Sequence, residues 1–304
     1  MSITQSGRIH LPFALGAAAA RHVIAEAEGP KTRTAEAAGS SRREPAGPKL
    51  ATQPASVSLS LVLPCFNEEQ NVEKTIRAAQ AWFSDAHVEG EIIVTNDGST
   101  DGSLNLLRKL QAEMPNLRIV RHAKNQGYGA AVRSGCDLAQ KDWIAFMDSD
   151  GQFRPSDISR LLPLTKGADY VTGFRKKRAD TFQRKLNSQL YSLLVRTVLG
   201  VHVSDLNCGM KVFRRSIWQT IRPVYATGAL VNGEMFFALK NAGITWEEVA
   251  VPHYPRVAGT PTGANLRVIL RAFIELWQLK RRRRTIGLTN ALRNGGEPPL
   301  PVRE

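Results

Sequence analysis

The chain has 304 residues, 42% of them apolar, and carries 41 Lys and Arg against 27 Asp and Glu, a formal charge of +14. That is ample chain for a buried core and excludes a wholly disordered protein, while no uninterrupted apolar run of about 18 residues encodes a membrane span. Cys65, Cys136 and Cys208 show no CxxC spacing, which speaks against a disulfide framework or structural zinc and for a reducing compartment.

The basic excess points first to nucleic acid or an anionic surface. Its distribution decides between them. Residues 1–56 hold seven basic and four acidic side chains, residues 280–304 hold seven and two, and residues 57–279 hold 27 and 21. The tails carry more than half of the excess, and no interleaving of aromatic and basic residues supports a nucleic-acid partner.

Residues 1–56 read as a disordered Ala/Gly/Pro-rich tail without helical or strand period. Within it, Leu11–Ala20 has the length of a signal-peptide core but reads as an Ala-rich, marginally helical stretch. Val57–Leu63 is an apolar, β-branched strand ending at Pro64, and Glu68–Phe83 has helical spacing through Val72, Ile76, Ala79 and Phe83. Glu91–Asn96 is the second strand, followed by a helix through Leu104, Leu107 and Leu110. Leu117–Arg121 is the third strand, Gly129–Gln140 a small-residue helix, and Trp143–Met147 the fourth strand. Beyond it the pattern predicts a helix over 155–164, a strand over 170–174 and a helix over 182–199. A strand over 210–213, a helix over 234–241, a strand over 245–251 and an amphipathic helix from Leu266 follow. The alternation predicts an α/β domain over 57–265, with a largely parallel central sheet flanked by helices. Residues 266–284 form a basic amphipathic helix, and 285–304 a mobile polar tail.

Ligands of such sheets bind at the carboxyl ends of strands, and three polar clusters fall there. Asp148-Ser149-Asp150-Gly151-Gln152 follows the strand WIAFM. Two carboxylates at i and i+2 can converge on one divalent cation, with Gln152 adding a carbonyl oxygen, a donor set suited to Mg2+ or Mn2+. An Asp-rich turn that caps the next helix is the plainer alternative. Asn96–Gly102 (NDGSTDG) reads as a turn and helix cap, or as a site where Asp97 accepts the imide N–H of uracil or guanine. Pro64–Glu69 closes the first strand. Gly127-Tyr128-Gly129 is not a dinucleotide fingerprint, because Val132 stands where the third glycine belongs. Its glycines instead suit close packing.

In order, these clusters resemble the inverting glycosyltransferases of family 2, whose fold is GT-A. The family's PxYNE is similar to Pro64–Glu68, with Phe66 for Tyr, and its DDGSxDG to Asn96–Gly102, with Asn96 for the first Asp. NxGxGxAxxxG matches Asn125, Gly127, Gly129, Ala131 and Gly135, and DxDxQ matches Asp148, Asp150 and Gln152. Further on, Thr172–Arg175, the pair Arg184 and Ser188, and Asp205–Arg214 (DLNCGMKVFR) resemble the polyprenyl-phosphate (dolichol-phosphate) sugar transferase subgroup. Arg256–Thr260 resembles the closing RxxGxSK, with Pro261-Thr262 in place of Ser-Lys.

The resemblance implies that Pro64, Phe66, Glu68, Asp97 and Asp148 hold the donor nucleotide, and that Asp148, Asp150 and Gln152 hold the metal. Asp150, Arg175, Arg184 and Ser188 would carry catalysis and the acceptor phosphate, with Asp205, Lys211, Glu234 and Arg256 as accessory residues. The implied reaction moves a sugar from a GDP- or UDP-linked donor to a polyprenyl phosphate. The alternative acceptor is a saccharide hydroxyl in polysaccharide assembly. A lipid phosphate is already a nucleophile near neutral pH, with a second pKa of about 6, and needs little general-base help. Planar guanidinium forks suit holding it. Asp205 and Glu234 would orient the arginines, or act as base toward a hydroxyl.

In the last helix Leu266, Ile269, Leu270, Phe273 and Trp277 form an apolar stripe, opposed by Arg267, Arg271, Glu275 and Gln278, with Lys280–Arg284 following. That suits the anionic surface of a cytoplasmic leaflet, and equally a helix packed on the catalytic domain. Many relatives in the family append C-terminal membrane spans, whereas this sequence stops at a basic helix, so the expectation is a cytoplasmic, peripheral protein whose membrane contact is superficial or through a partner.

Overall fold

The structure is a computed structural model; it describes residues 56–176, 193–228 and 230–256, and beyond them 274–276, 278 and 281. Seven strands form one sheet in the order β3-β2-β1-β4-β6-β5-β7. They are β1 (Ser58–Cys65), β2 (Glu89–Asn96), β3 (Leu117–Arg121), β4 (Trp143–Met147), β5 (Tyr170–Arg175), β6 (Met210–Arg214) and β7 (Glu247–Val251). The helices are α1 (Val72–Asp85), α2 (Ser103–Glu113), α3 (Tyr128–Leu138), the short α4 (Trp218–Ile221) and α5 (Val231–Ala242).

Strands β1 to β4 pair in parallel, and β5 pairs in parallel with β7. The exception is β6, which runs antiparallel to both β4 and β5. The expected largely parallel sheet is therefore present, with one reversed strand inserted. Because β6 is reversed between two like-directed strands, its amino end lies on the edge where β4 and β5 have their carboxyl ends.

Both faces of the sheet are covered, which explains why β1 is buried from Leu59 to Cys65, Ser60 included. Leu59, Leu61 and Leu63 pack with Ile76 of α1 and Leu107 of α2 on one side. Val62, Ile93 and Phe146 pack with Val132 of α3 and Phe236 of α5 on the other. All these side chains are fully buried. At about 1.5–3 kcal/mol for each large apolar side chain, this double layer is the main stabilising term that fixes the strand ends.

Three expected elements change. The first helix starts at Val72 rather than Glu68, because the Glu68 carbonyl accepts from the amides of Asn71 (3.0 Å) and Val72 (2.9 Å) in a tight turn. The helix expected over 155–164 is two 3-10 helices, Pro155–Arg160 and Leu162–Lys166. Pro163 lacks the N–H an α-helix needs there. Helix α4 was not foreseen. Of the helix expected over 182–199, residues 193–199 are helical, and the rest lies outside the described residues. So do the tails over 1–55 and 285–304, and the stripe residues Leu266, Ile269, Leu270, Phe273 and Trp277.

The end of the chain also departs from expectation at one residue. Glu275, read as part of a solvated face, is 4% exposed, beside the equally buried Leu276. Ile274 is exposed, as are residues 278 and 281. The described part of this helix is thus packed on the catalytic domain through Glu275 and Leu276.

Candidate active site

The ends of β1 and β2 are zipped together by their own polar side chains. The Asn67 amide donates to Ser99 Oγ (3.0 Å), and Asn67 Oδ1 accepts from the Thr100 amide (2.8 Å). The Glu68 amide donates to Ser103 Oγ (3.0 Å), and the Gly102 amide to Glu69 Oε2 (2.9 Å). Asn96 accepts from the Ser99 amide through its side chain (3.0 Å), so the replacement of the family's first Asp keeps an acceptor for that turn. Phe66 stands outside this zipper, 36% exposed.

Asp97 is 2% exposed and faces its own chain. Its oxygens accept from the amides of Gln126 (2.9 Å) and Gly127 (2.8 Å) and lie 2.6 Å from His122 Nδ1. The far nitrogen of His122 is 2.9 Å from Ser134 Oγ on α3. Asp97 thereby fixes the segment between β3 and α3, a role the motif alone did not reveal.

The carboxylates beyond β4 sit against this assembly. Ser149 Oγ donates to the Pro64 carbonyl at 2.6 Å, tying the two strand-end loops together. Asp148 Oδ1 accepts from the Tyr128 hydroxyl at 2.8 Å. On its other side lies Gly209, at the entry to β6. A Cβ built there would fall 2.0 Å from Asp148 Oδ2, so only glycine admits the carboxylate. Burial first, then the charge of Asp150, push the Asp148 carboxyl up to about 7. Asp150 Oδ1 accepts from the Gln152 amide (3.0 Å), and Asp150 Oδ2 lies 2.6 Å from Arg256 Nη2. Arg256 Nη1 is 3.6 Å from Glu68 Oε1, so one guanidinium spans both carboxylates. Burial raises the Glu68 carboxyl above its ordinary range.

This donor set fits a divalent cation. Two hard-oxygen carboxylates press together, one of them held protonated toward neutrality by burial and by the other's charge, and a bound cation would relieve both. Gln152 directs its amide nitrogen to the Tyr254 carbonyl (3.4 Å), leaving its carbonyl oxygen as the atom for a ligand. Among the described residues no cluster of three or more His, Cys, Asp or Glu gathers. A cation here would complete its shell with substrate oxygens and water.

Toward β5, Arg175 is locked to Asp205 by two parallel bonds, Nε to Oδ2 at 2.6 Å and Nη2 to Oδ1 at 2.8 Å. The Arg175 amide adds a third at 3.2 Å. Arg175 also favours the ionised form of Asp148, which places its charge in reach of the carboxylate pair. Lys211 of β6 is fully buried beneath this edge and donates to the Cys208 carbonyl. Its ammonium lies 5.3 Å from the ring centre of Phe146 and 5.8 Å from that of Phe236. Burial draws the Lys211 pKa down to about 8.

Glu234 stands apart from these groups. Its two oxygens accept from the successive amides of Val224 (2.9 Å), Tyr225 (3.1 Å) and Ala226 (2.7 Å), so it is the anchor of a loop. Arg184 and Ser188 lie outside the described residues. The structure thus brings together Pro64, Glu68, Asp148, Asp150, Gln152 and Arg256, with Arg175 and Asp205 beside them. Tyr128 and Gly209 complete the cradle of Asp148. The signals for them were an aromatic hydroxyl between two glycines at a helix start and a glycine opening a strand.

Comparison with known proteins bears on the fold and the family. The structure is similar to glucosyl-3-phosphoglycerate synthase from Mycobacterium tuberculosis in complex with Mn2+, UDP and phosphoglyceric acid. That match has a TM-score of 0.57 at 21% identity and covers 74% of this chain and 79% of that one. Mannosyl-3-phosphoglycerate synthase from Rubrobacter xylanophilus matches with a TM-score of 0.57 at 20% identity, covering 82% of this chain and 77% of that one. These likenesses establish the GT-A fold. Among curated proteins, dodecaprenyl-phosphate galacturonate synthase of Rhizobium johnstonii is 37% identical over 215 residues, 67% of this chain and 61% of that protein. Undecaprenyl-phosphate 4-deoxy-4-formamido-L-arabinose transferase of Aeromonas hydrophila is 33% identical over 162 residues, 52% of this chain and 49% of that protein. The chain therefore spans half to three fifths of the length of these relatives. The family described as glycosyl transferase family 2 matches residues 60–222, more than half of the sequence, and the chain belongs to it.

Proposed function

We propose that the protein transfers a sugar from a nucleotide diphospho-sugar to the phosphate of a polyprenyl phosphate, with inversion at the anomeric carbon. An acceptor phosphate oxygen forms the new bond to that carbon while its bond to the diphosphate breaks, and the nucleotide diphosphate leaves with the electron pair. The observation that carries the reading is the commitment of both candidate bases. Asp205 is paired with Arg175, and Glu234 is occupied by backbone amides. A sugar hydroxyl acceptor would need a base to take its proton. A phosphate monoester, with its second pKa of about 6, does not. The names of the curated relatives, both polyprenyl-phosphate sugar enzymes, support the same acceptor class.

In this reading Pro64, Phe66 and Glu68 line the nucleotide end, and Asp97 shapes it by holding the 122–127 segment. Asp148, Asp150 and Gln152 would hold Mg2+ or Mn2+, which when bound neutralises charge on the leaving diphosphate. Arg256 would turn from Asp150 toward that diphosphate. Arg175, kept in place by Asp205, would meet the acceptor phosphate together with Arg184 and Ser188. Residues 280–284 bring five consecutive cations next to the last helix, each contributing about 1 kcal/mol near an anionic leaflet. Among the described residues no helix is long and apolar enough to cross a membrane, and the reading places the protein peripherally on the cytoplasmic face.

The test is an assay with radiolabelled GDP- and UDP-sugars, offering a polyprenyl phosphate and a glycan in separate reactions. Label entering the lipid fraction, dependent on Asp150 and Arg175, is the expected result. Label entering only the glycan would overturn the assignment.

A further inference from the structure

The first turn of α3 is where the carboxylate edge, the loop 224–228 and the C-terminal helix meet. Tyr128 opens this helix and donates to Asp148 Oδ1 at 2.8 Å. The next amides, of Gly129 and Ala130, have no partner within their own helix turn and donate instead to the Thr227 carbonyl, at 2.8 and 3.3 Å. Gly129 allows the approach, since a Cβ there would stand 2.6 Å from the Ala226 carbonyl oxygen. The loop is held in turn by two buried glutamates. Glu234 takes the amides of residues 224–226. Glu275 takes the Thr227 amide (3.0 Å), the Thr227 hydroxyl (3.0 Å) and the Gly228 amide (3.2 Å), all on Oε1.

Each contact has a consequence for the next. Glu275 sets the height of Thr227, the Thr227 carbonyl sets the start of α3, and the start of α3 sets where the Tyr128 hydroxyl meets Asp148. We infer that Tyr128 is a positioning residue for Asp148, and that Glu275 extends this control to the C-terminal helix. The helix is then part of the scaffold that aims the carboxylate, in addition to any contact it makes with lipid. The inference rests on the reading of Asp148 as a metal ligand.

The test measures the binding of Mn2+ alone to the full chain, by the electron paramagnetic resonance signal of unbound Mn2+, with kcat and KM recorded in parallel. Asp148→Ala serves as reference and is expected to abolish binding at the site. Tyr128→Phe, which keeps the ring and loses only the hydroxyl, is expected to weaken Mn2+ about tenfold, as removal of an outer-shell partner does. Glu275→Ala is expected to weaken it about threefold. Glu275→Gln keeps an acceptor oxygen for the three bonds made by Oε1 and should recover part of that loss. For Tyr128→Phe, kcat should fall while the KM of the lipid acceptor holds. If Asp148→Ala binds Mn2+ as well as wild type, the metal reading itself fails. If Asp148→Ala loses Mn2+ but Tyr128→Phe and Glu275→Ala bind as wild type does, the positioning inference is overturned and the metal reading stands. Equal losses in Glu275→Ala and Glu275→Gln would overturn the role given to Oε1.

Discussion

Arg256 reaches Asp150 across 106 residues of sequence, with Nη2 at 2.6 Å from Oδ2, and holds Glu68 through its other nitrogen. A cation supplied by the chain therefore occupies the charge environment in which a metal would act. A metal held by Asp150 would be repelled by the guanidinium and would compete with it for that carboxylate. Removing one must favour the other.

Arg256→Ala is accordingly expected to bind Mn2+ alone several-fold more tightly than the wild type, measured by titration calorimetry without nucleotide. The same substitution should raise the KM of the nucleotide diphospho-sugar, because the diphosphate loses its guanidinium. Weaker Mn2+ binding in Arg256→Ala would show that the arginine supports the carboxylates rather than competing for them.

If Asp148 is a metal ligand, as proposed, its titration sets the pH dependence of metal binding. Its carboxyl is raised from 3.8 in the unfolded chain to about 7 in the fold. Without metal, raising pH from 3.8 toward 7 strips the proton from the unfolded chain before the folded one, so stability declines over that window and levels off above it. Metal binding would need the carboxylate, so Mn2+ affinity should fall about fivefold from pH 7 to pH 6 and stay nearly level above pH 8. Affinity independent of pH across this range would contradict the assignment of Asp148 as ligand.

Sequence patterns revealed elements whose signal is local. Strands β3 and β4 match expectation residue for residue, being short apolar runs bounded by turn residues. The direction of β6 did not show, because a five-residue strand carries no information about which neighbour it will pair with or in which sense. Nor did the pattern MKVFR show that Lys211, an accessory residue by the resemblance, is fully buried. At the site the carboxylates were legible because an Asp-x-Asp step follows a strand directly. The resemblance also singled out Arg256, though not its pairing with Asp150 and Glu68. Tyr128 meets Asp148 and Glu275 meets Thr227 only through tertiary packing, and Glu275 even falls on the polar side of its helix's sequence pattern. Glu234 shows the converse case: an acidic residue at the family's acidic position proves to organise backbone amides.

Glu234→Gln separates a structural from a chemical role. Amide replacement leaves one acceptor oxygen for the three amides and brings a donor against the others, so a lower melting temperature is expected, with a loss of about 1–3 kcal/mol. Since no proton passes through Glu234, the shape of the pH–rate profile should be unchanged in whatever activity survives. Loss of the acidic-limb pKa from that profile would restore Glu234 as a catalytic base.

Lys211 is the clearest conflict between stability and site. Its pKa falls from 10.5 in the unfolded chain to about 8 in the fold, because burial disfavours the charge. Above pH 10.5 both states are neutral and no charge penalty exists. As pH falls toward 8 the unfolded chain takes up a proton that the folded chain does not, so stability drops. Below 8 the penalty is constant, about 3 kcal/mol. Lys211→Met has no such slope, so its stability relative to wild type should be greatest below pH 8 and shrink by about 3 kcal/mol toward pH 10.5. Urea unfolding at several pH values measures this difference. The ammonium nevertheless holds the Cys208 carbonyl, in the loop that carries Asp205 to Arg175 and Gly209 to Asp148. Lys211→Met should therefore gain stability at neutral pH while losing transferase activity at least tenfold, as a site held about 1 Å off its geometry does. A variant that is both more stable and fully active would remove Lys211 from the site.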